Sequence, residues 1–184
     1  IFNGWGNQGW AEFGKDAKLA PRVAEIAGAK LIHSDLVNEG GGFHISGGGT
    51  VLLTETVQLG KGRNPKLTKQ EVENEIHEKL GTREAVWLKR GLTRDYEEFG
   101  TQGHVDIVAC FAPDGRIIYH DQRNPNHPDY LVSAEVRETL LRAGFELLAI
   151  PAPSVLSDRE GYVDYSYINC LLYTSDAADD LTRV

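Results

Sequence analysis

Apolar positions follow two rhythms along the chain. After Thr68, the residues Val72, Ile76 and Leu80 recur every fourth position, which is one face of a helix. Thr68 and Glu71 stand three apart, as a capping box requires: the hydroxyl accepts the amide three residues on, and the carboxylate returns the bond. Gly81 is the natural stop. A second helix is expected over Ser133–Ala143, with Val136, Leu140 and Leu141 facing inward and Gly144 ending it. A third is expected around Leu19–Ala27, where Pro21 is tolerable in the first turn. Between the helices lie β-rich runs at Thr50–Thr54, Glu84–Leu88, His104–Phe111, Arg116–His120 and Phe145–Ile150, and Tyr162–Ile168 alternates like a last strand.

These pieces repeat. Phe43-His44-Ile45, strand Thr50–Thr54, helix Thr68–Leu80 and strand Glu84–Leu88 form one unit. His104–Phe111, strand Arg116–His120, helix Ser133–Ala143 and strand Phe145–Ile150 form the next, offset by roughly 60 residues. A recurring ββαβ unit makes an α/β fold, either blades around an axis or a layered sheet. His44 and His104, each flanked by glycine-rich segments, are expected at comparable places in their units.

Composition narrows the function more than the fold. With 184 residues, 41% hydrophobic and 25% charged, the chain suits one globular domain. A net charge of −8 repels phosphate backbones, so nucleic acid is not an expected partner, while a cationic substrate is tolerated or attracted. No apolar run reaches the roughly 18–20 residues of a membrane helix. Two cysteines, Cys110 and Cys170, offer neither a disulfide framework nor a metal-ligand pair, so a cytoplasmic location is the default expectation. The chain opens Ile1-Phe2-Asn3 without any methionine, which points to a missing start.

The candidate chemistry centres on Gly103-His104-Val105-Asp106. In a strand, His104 and Asp106 would share one face, an imidazole beside a carboxylate. Such a pair suits acid–base work, metal binding, or nothing beyond backbone capping. Glu39, ahead of Gly40-Gly41-Gly42, could be an acid held by a tight turn or a solvated loop residue. His120-Asp121 and His127-Pro128-Asp129 flank a Pro/Asn-rich stretch read as a surface loop rather than a metal site. On a continuous strand, Cys110 would lie roughly 20 Å from His104. A Cys–His pair needs about 3 Å, so Cys110 reads as a core residue.

Taken in order, several segments resemble the agmatine deiminase family. These are Asn3-Gly4-Trp5-Gly6, Glu39-Gly40-Gly41, Gly49-Thr50-Val51-Leu52-Leu53-Thr54-Glu55, Arg63-Asn64-Pro65, Trp87-Leu88, Gly103-His104-Val105-Asp106, Ile150-Pro151-Ala152-Pro153 and Tyr165-Ser166-Tyr167-Ile168-Asn169. The resemblance implies part of a five-bladed α/β propeller over residues 1–169. It implies hydrolysis of agmatine to N-carbamoylputrescine and ammonia through a cysteine-bound amidino intermediate, with peptidyl-arginine or another guanidine as the alternative substrate. His104 resembles the general acid/base, Asp106 the carboxylate that grips the guanidinium, and Glu39 the acid that orients the histidine. No metal or organic cofactor is implied; a homodimer is.

Two family parts have no match here. One is an upstream Trp-x-Arg-Asp-x-Gly-Pro segment that carries another guanidinium-binding aspartate; the other is the nucleophilic cysteine of a glycine-rich His-Cys stretch. The chain alone is therefore expected to be inactive, or at most a guanidine binder. From Cys170 onward, Cys-Leu-Leu-Tyr-Thr-Ser-Asp-Ala-Ala-Asp resembles the translation of a sequencing-library transposon adapter, so 170–184 is expected to be an artefact outside the fold.

Overall fold

The Thr68–Glu71 box forms as its spacing requires. In the computed structural model, which describes residues 1–169, the Thr68 hydroxyl accepts from the Glu71 amide and the Glu71 carboxylate answers the Thr68 amide. Chain order runs α1 (Gly4–Asn7), α2 (Leu19–Ile26), β1 (Phe43–Ile45), β2 (Thr50–Thr54), α3 (Glu55–Gln58), α4 (Lys69–Leu80) and β3 (Glu84–Leu88). It continues with β4 (Ala109–Phe111), β5 (Ile117–Asp121), α5 (Asp129–Arg142), β6 (Leu147–Pro151), β7 (Ser157–Asp158) and β8 (Gly161–Tyr162). The expectation for Cys170–Val184 lies outside the described residues.

The two ββαβ units are real and built alike. In each, a short strand pairs antiparallel with a longer one, and that one pairs parallel with the strand after the helix: β1-β2-β3, then β4-β5-β6. The hairpin β7-β8 is a third small sheet, and no sheet closes on itself among the described residues. The fold is thus mixed α/β with small separate sheets.

β2 explains how the units join. All five of its residues are buried. By strand alternation Val51 and Leu53 face α4, where Val72 and Ile76 complete one cluster with Leu36. Leu52 faces the opposite way, into a larger cluster with Leu88, Val105, Val108, Ile117, Val132, Val136 and Leu140. Each such side chain contributes about 1.5–3 kcal/mol on burial. The second cluster takes residues from both units, so it is the seam between them.

Several boundaries differ from expectation. Leu80 and Leu141 were expected in the inward stripes but are exposed, at the last turns of α4 and α5, and Val132 is buried instead. α5 begins at Asp129, before the expected Ser133, because the buried Asp129 carboxylate accepts from the Thr93 amide and hydroxyl and so fixes the helix start. Only Ala109–Phe111 of the expected strand His104–Phe111 is a strand. Residues 105–108 turn instead, and Val108 and Ala109 both donate back to the Val105 carbonyl. The expected strand Tyr162–Ile168 pairs only at Gly161–Tyr162; beyond it Ser166 donates to the Ile107 carbonyl through its side chain.

Candidate active site

Glu39 and His104 occupy matching positions in the repeat. Each stands before a short turn that leads into the first strand of its unit, β1 for Glu39 and β4 for His104. The seam brings them together: Nε2 of His104 lies 3.1 Å from Oε2 of Glu39, and both residues are buried. His44, expected to be the counterpart of His104, is instead within β1, where the equivalent strand β4 carries Cys110. Its Nδ1 accepts from the Phe111 amide at 3.3 Å, and it lines a different cavity with Cys110 and Phe145. Cys110 is buried, with Sγ 3.9 Å from the Ile168 carbonyl.

Glycine makes the approach possible. The Gly41 carbonyl accepts from the amides of Val105 and Asp106, at 3.1 and 3.3 Å, which pins the turn after His104 onto the Glu39 loop. A β-carbon on Gly41 would fall 2.3 Å from His104 Nδ1 and 2.6 Å from Asp106 Oδ2. No side chain fits there. The Glu-Gly-Gly-Gly segment is therefore a close-approach device, one of the two readings its sequence allowed.

His104 and Asp106 do not share a strand face, because there is no strand at these positions. They are nevertheless neighbours, with Nδ1 3.9 Å from Oδ1, because the turn curls both toward Gly41. Side-chain exposure is 5% for Glu39, 8% for His104 and 24% for Asp106, so Asp106 is the member that opens to the outside. Its Oδ2 accepts from Asn169 Nδ2 at 3.0 Å, while Oδ1 is buried with no hydrogen-bond partner among the described residues.

Two residues without an assigned role in the sequence hold this cluster. Asp95 is buried and accepts four bonds: from the Thr101 amide (2.6 Å), the Thr101 hydroxyl (2.6 Å), the Gly103 amide (2.7 Å) and the His104 amide (3.0 Å). Arg63 donates from Nε to both Glu39 oxygens, at 3.1 and 3.0 Å, with Nη2 2.8 Å from Oε2. Only the Arg63-Asn64-Pro65 motif pointed toward the second; nothing local marked the first.

Electrostatics separate the two acids. Burial alone would raise the Glu39 carboxyl, but hydrogen bonds from His104 and Arg63, with their charges, hold it below its ordinary value. Burial raises Asp106, the nearby charge of Asp95 adds to this, and His104 opposes it. Glu39 is thus a fixed anion. A carboxylate only accepts, so Nε2 of His104 carries the hydrogen and Nδ1 is left facing Asp106.

Of the other histidine–aspartate pairs, His127–Asp129 has a structural role. His127 uses both ring nitrogens, Nε2 on the Val163 carbonyl (3.0 Å) and Nδ1 on the Asp129 amide (3.1 Å), which leaves none for a metal. Asp121 pairs with Arg123, and burial lowers His120, whose Nε2 is buried with no hydrogen-bond partner among the described residues. No group of three or more His, Cys, Asp or Glu among the described residues is arranged to hold a metal ion.

Known proteins resemble this chain along most of its length. Residues 1–177 match the family described as Porphyromonas-type peptidyl-arginine deiminase. The chain belongs to that family. It is 53% identical over 176 residues to a Streptomyces coelicolor protein named "Putative agmatine deiminase", covering 92% of this chain and 52% of that one. An agmatine deiminase of Medicago truncatula is 30% identical over 170 residues, covering 86% and 45%. The fold superposes on a substrate-bound agmatine deiminase of C. jejuni with a TM-score of 0.80 at 26% identity, covering 92% and 50%. An Enterococcus faecalis agmatine deiminase gives 0.76 at 29%, covering 91% and 48%. The chain therefore spans about half the length of the relatives it matches.

Proposed function

We propose that this chain is the His-bearing half of a guanidine deiminase acting on agmatine. The observation that carries the reading is the convergence of Glu39, His104 and Asp106 around Gly41. It puts a fixed anion, an oriented imidazole and a half-open carboxylate within one cluster. A planar cation matches this set. Asp106 would accept two guanidinium N–H groups, the geometry that carboxylates favour for such cations.

In this reaction a cysteine thiolate, supplied by the longer protein, attacks the guanidinium carbon. The C–N bond to the terminal nitrogen breaks, and His104 gives that nitrogen a proton so that it leaves as ammonia. His104 then takes a proton from water, which attacks the amidino carbon. The added hydroxyl gives its proton to solvent and becomes the carbonyl as the C–S bond breaks; the thiolate returns and N-carbamoylputrescine departs. Glu39 stabilises the imidazolium at each turn. The two ββαβ units are read as two of five propeller blades. The net charge of −8 suits a cationic substrate, and a cytoplasmic setting suits a thiolate enzyme.

Ammonia release from agmatine by the full-length parent protein tests the proposal. Turnover that falls about 100–10,000-fold in His104→Ala supports it. Release from peptidyl-arginine but not agmatine would reassign the substrate. Agmatine binding without any ammonia would reduce the protein to a guanidine binder.

A further inference from the structure

We infer that Arg63 is a positioning residue that clamps His104 at both ends, through Glu39 at the ring and through Thr101 at the backbone, and so fixes which ring nitrogen faces Asp106. The inference deepens the deiminase reading only in what the freed nitrogen would do.

The contacts form a closed loop. At one end Arg63 makes its three contacts with Glu39, whose Oε2 meets His104 Nε2. At the other, Arg63 Nη2 donates to the Thr101 carbonyl at 2.7 Å. The Thr101 hydroxyl lies 3.3 Å from the His104 amide, and Asp95 binds both residues. One nitrogen, Nη2, thus touches the carboxylate of the first unit and the loop of the second that carries His104. The Arg63 side chain is 2% exposed, so its charge is compensated within the cluster rather than by water.

The shape of the group matters as much as its charge. Nε and Nη2 lie in one plane at a fixed separation, so binding Glu39 also aims it. A lysine would restore the cation but has one nitrogen, which cannot hold the Glu39 pair and the Thr101 carbonyl in the same geometry. The Arg63 backbone is equally confined: a β-carbon on the preceding Gly62 would lie 1.8 Å from the Gly6 carbonyl oxygen. A simple stabilising ion pair would need none of this aim toward His104.

The test is NMR on the isotope-labelled 1–184 chain, reading the His104 tautomer from ring 15N correlations and the Glu39 carboxyl from its 13C titration. In the unsubstituted chain, neutral His104 is expected as a single tautomer with hydrogen on Nε2, and Glu39 titrates below its ordinary value. Arg63→Met should raise the Glu39 titration and mix the tautomers. Arg63→Lys should bring the Glu39 titration part of the way back while the tautomers stay mixed. The inference is overturned by a folded Arg63→Met chain with unchanged tautomer and titration, or by Arg63→Lys restoring both. If Arg63→Met does not fold, the natural chain and Arg63→Lys decide: an Nδ1–H tautomer, or a Glu39 that titrates at its ordinary value, overturns it without any further variant. None of these readouts involves turnover. A chain that passes them while the full-length protein releases no ammonia keeps the Arg63 assignment and loses the deiminase reading.

Discussion

Gly41 lies so close to His104 that a β-carbon on it would stand 2.3 Å from the ring Nδ1. Alanine there must push the imidazole or split the Glu39 loop from the turn after His104. Gly41→Ala should cost about 1–3 kcal/mol of stability, as overpacking does. It should also cut ammonia release by about 100-fold, the scale expected from displacing a catalytic group by about 1 Å. Equilibrium denaturation and turnover of the full-length protein, measured side by side, check both; unchanged turnover would mean that the ring is not where the chemistry occurs.

Asp106 should trade stability for binding. Its carboxyl is raised from an ordinary 3.8, chiefly by burial. A raised acid contributes stability in its protonated form, present below 3.8 and lost as pH rises through the raised value. Asp106→Asn, which mimics the neutral acid, should therefore melt higher than the natural chain at neutral pH, with the gain vanishing in acid. Agmatine binding should move the other way, abolished in the variant and fading in the natural protein as pH falls through a midpoint above 3.8. Calorimetric melts and titrations across pH read both; a variant that melts lower at neutral pH refutes the linkage.

Glu39 has the opposite sign. Its lowered carboxyl contributes stability above its ordinary 4.5 that is lost as pH falls through the depressed value. Glu39→Gln should thus destabilise the chain at neutral pH and leave it close to the natural chain in strong acid. Urea melts at several pH values would show this as curves that converge on acidification.

Asp95→Ala removes an acceptor from four donors; the buried Gly103 amide is left bare, and the buried His104 amide keeps only the Thr101 hydroxyl at 3.3 Å. Each buried unsatisfied group costs about 1–3 kcal/mol, so this one truncation should rank among the most damaging in the chain. Thr68→Ala, by contrast, removes only a helix cap and should cost about 1 kcal/mol without changing turnover. Denaturation midpoints for the two variants give the comparison directly.

Local elements are legible in the sequence, as are His104, Asp106 and Glu39 through their motifs; the contacts that Arg63 and Asp95 make with Glu39 and His104 are not. The α4 box and both ββαβ units follow from spacings of a few residues, and so they appear where expected. His104 and Asp106 are marked as a pair by their spacing, yet they lie at a turn and not on the expected strand. Val105, Ile107 and Val108 look like strand residues, but Gly41 and Asp95 capture the local amides and force a turn. Leu80 and Leu141 keep the helical period, yet they fall in the last turns of α4 and α5 and are exposed. Arg63 sits 24 residues from Glu39, and no periodicity encodes their meeting.

Because Glu39 belongs to one ββαβ unit and His104 to the next, neither repeat owns the site. The two equivalent turns carry a carboxylate in one unit and an imidazole in the other. Chemistry then becomes a report on assembly: a substitution that merely loosens the seam around Leu52 and Val105 should silence the protein while each repeat still looks folded.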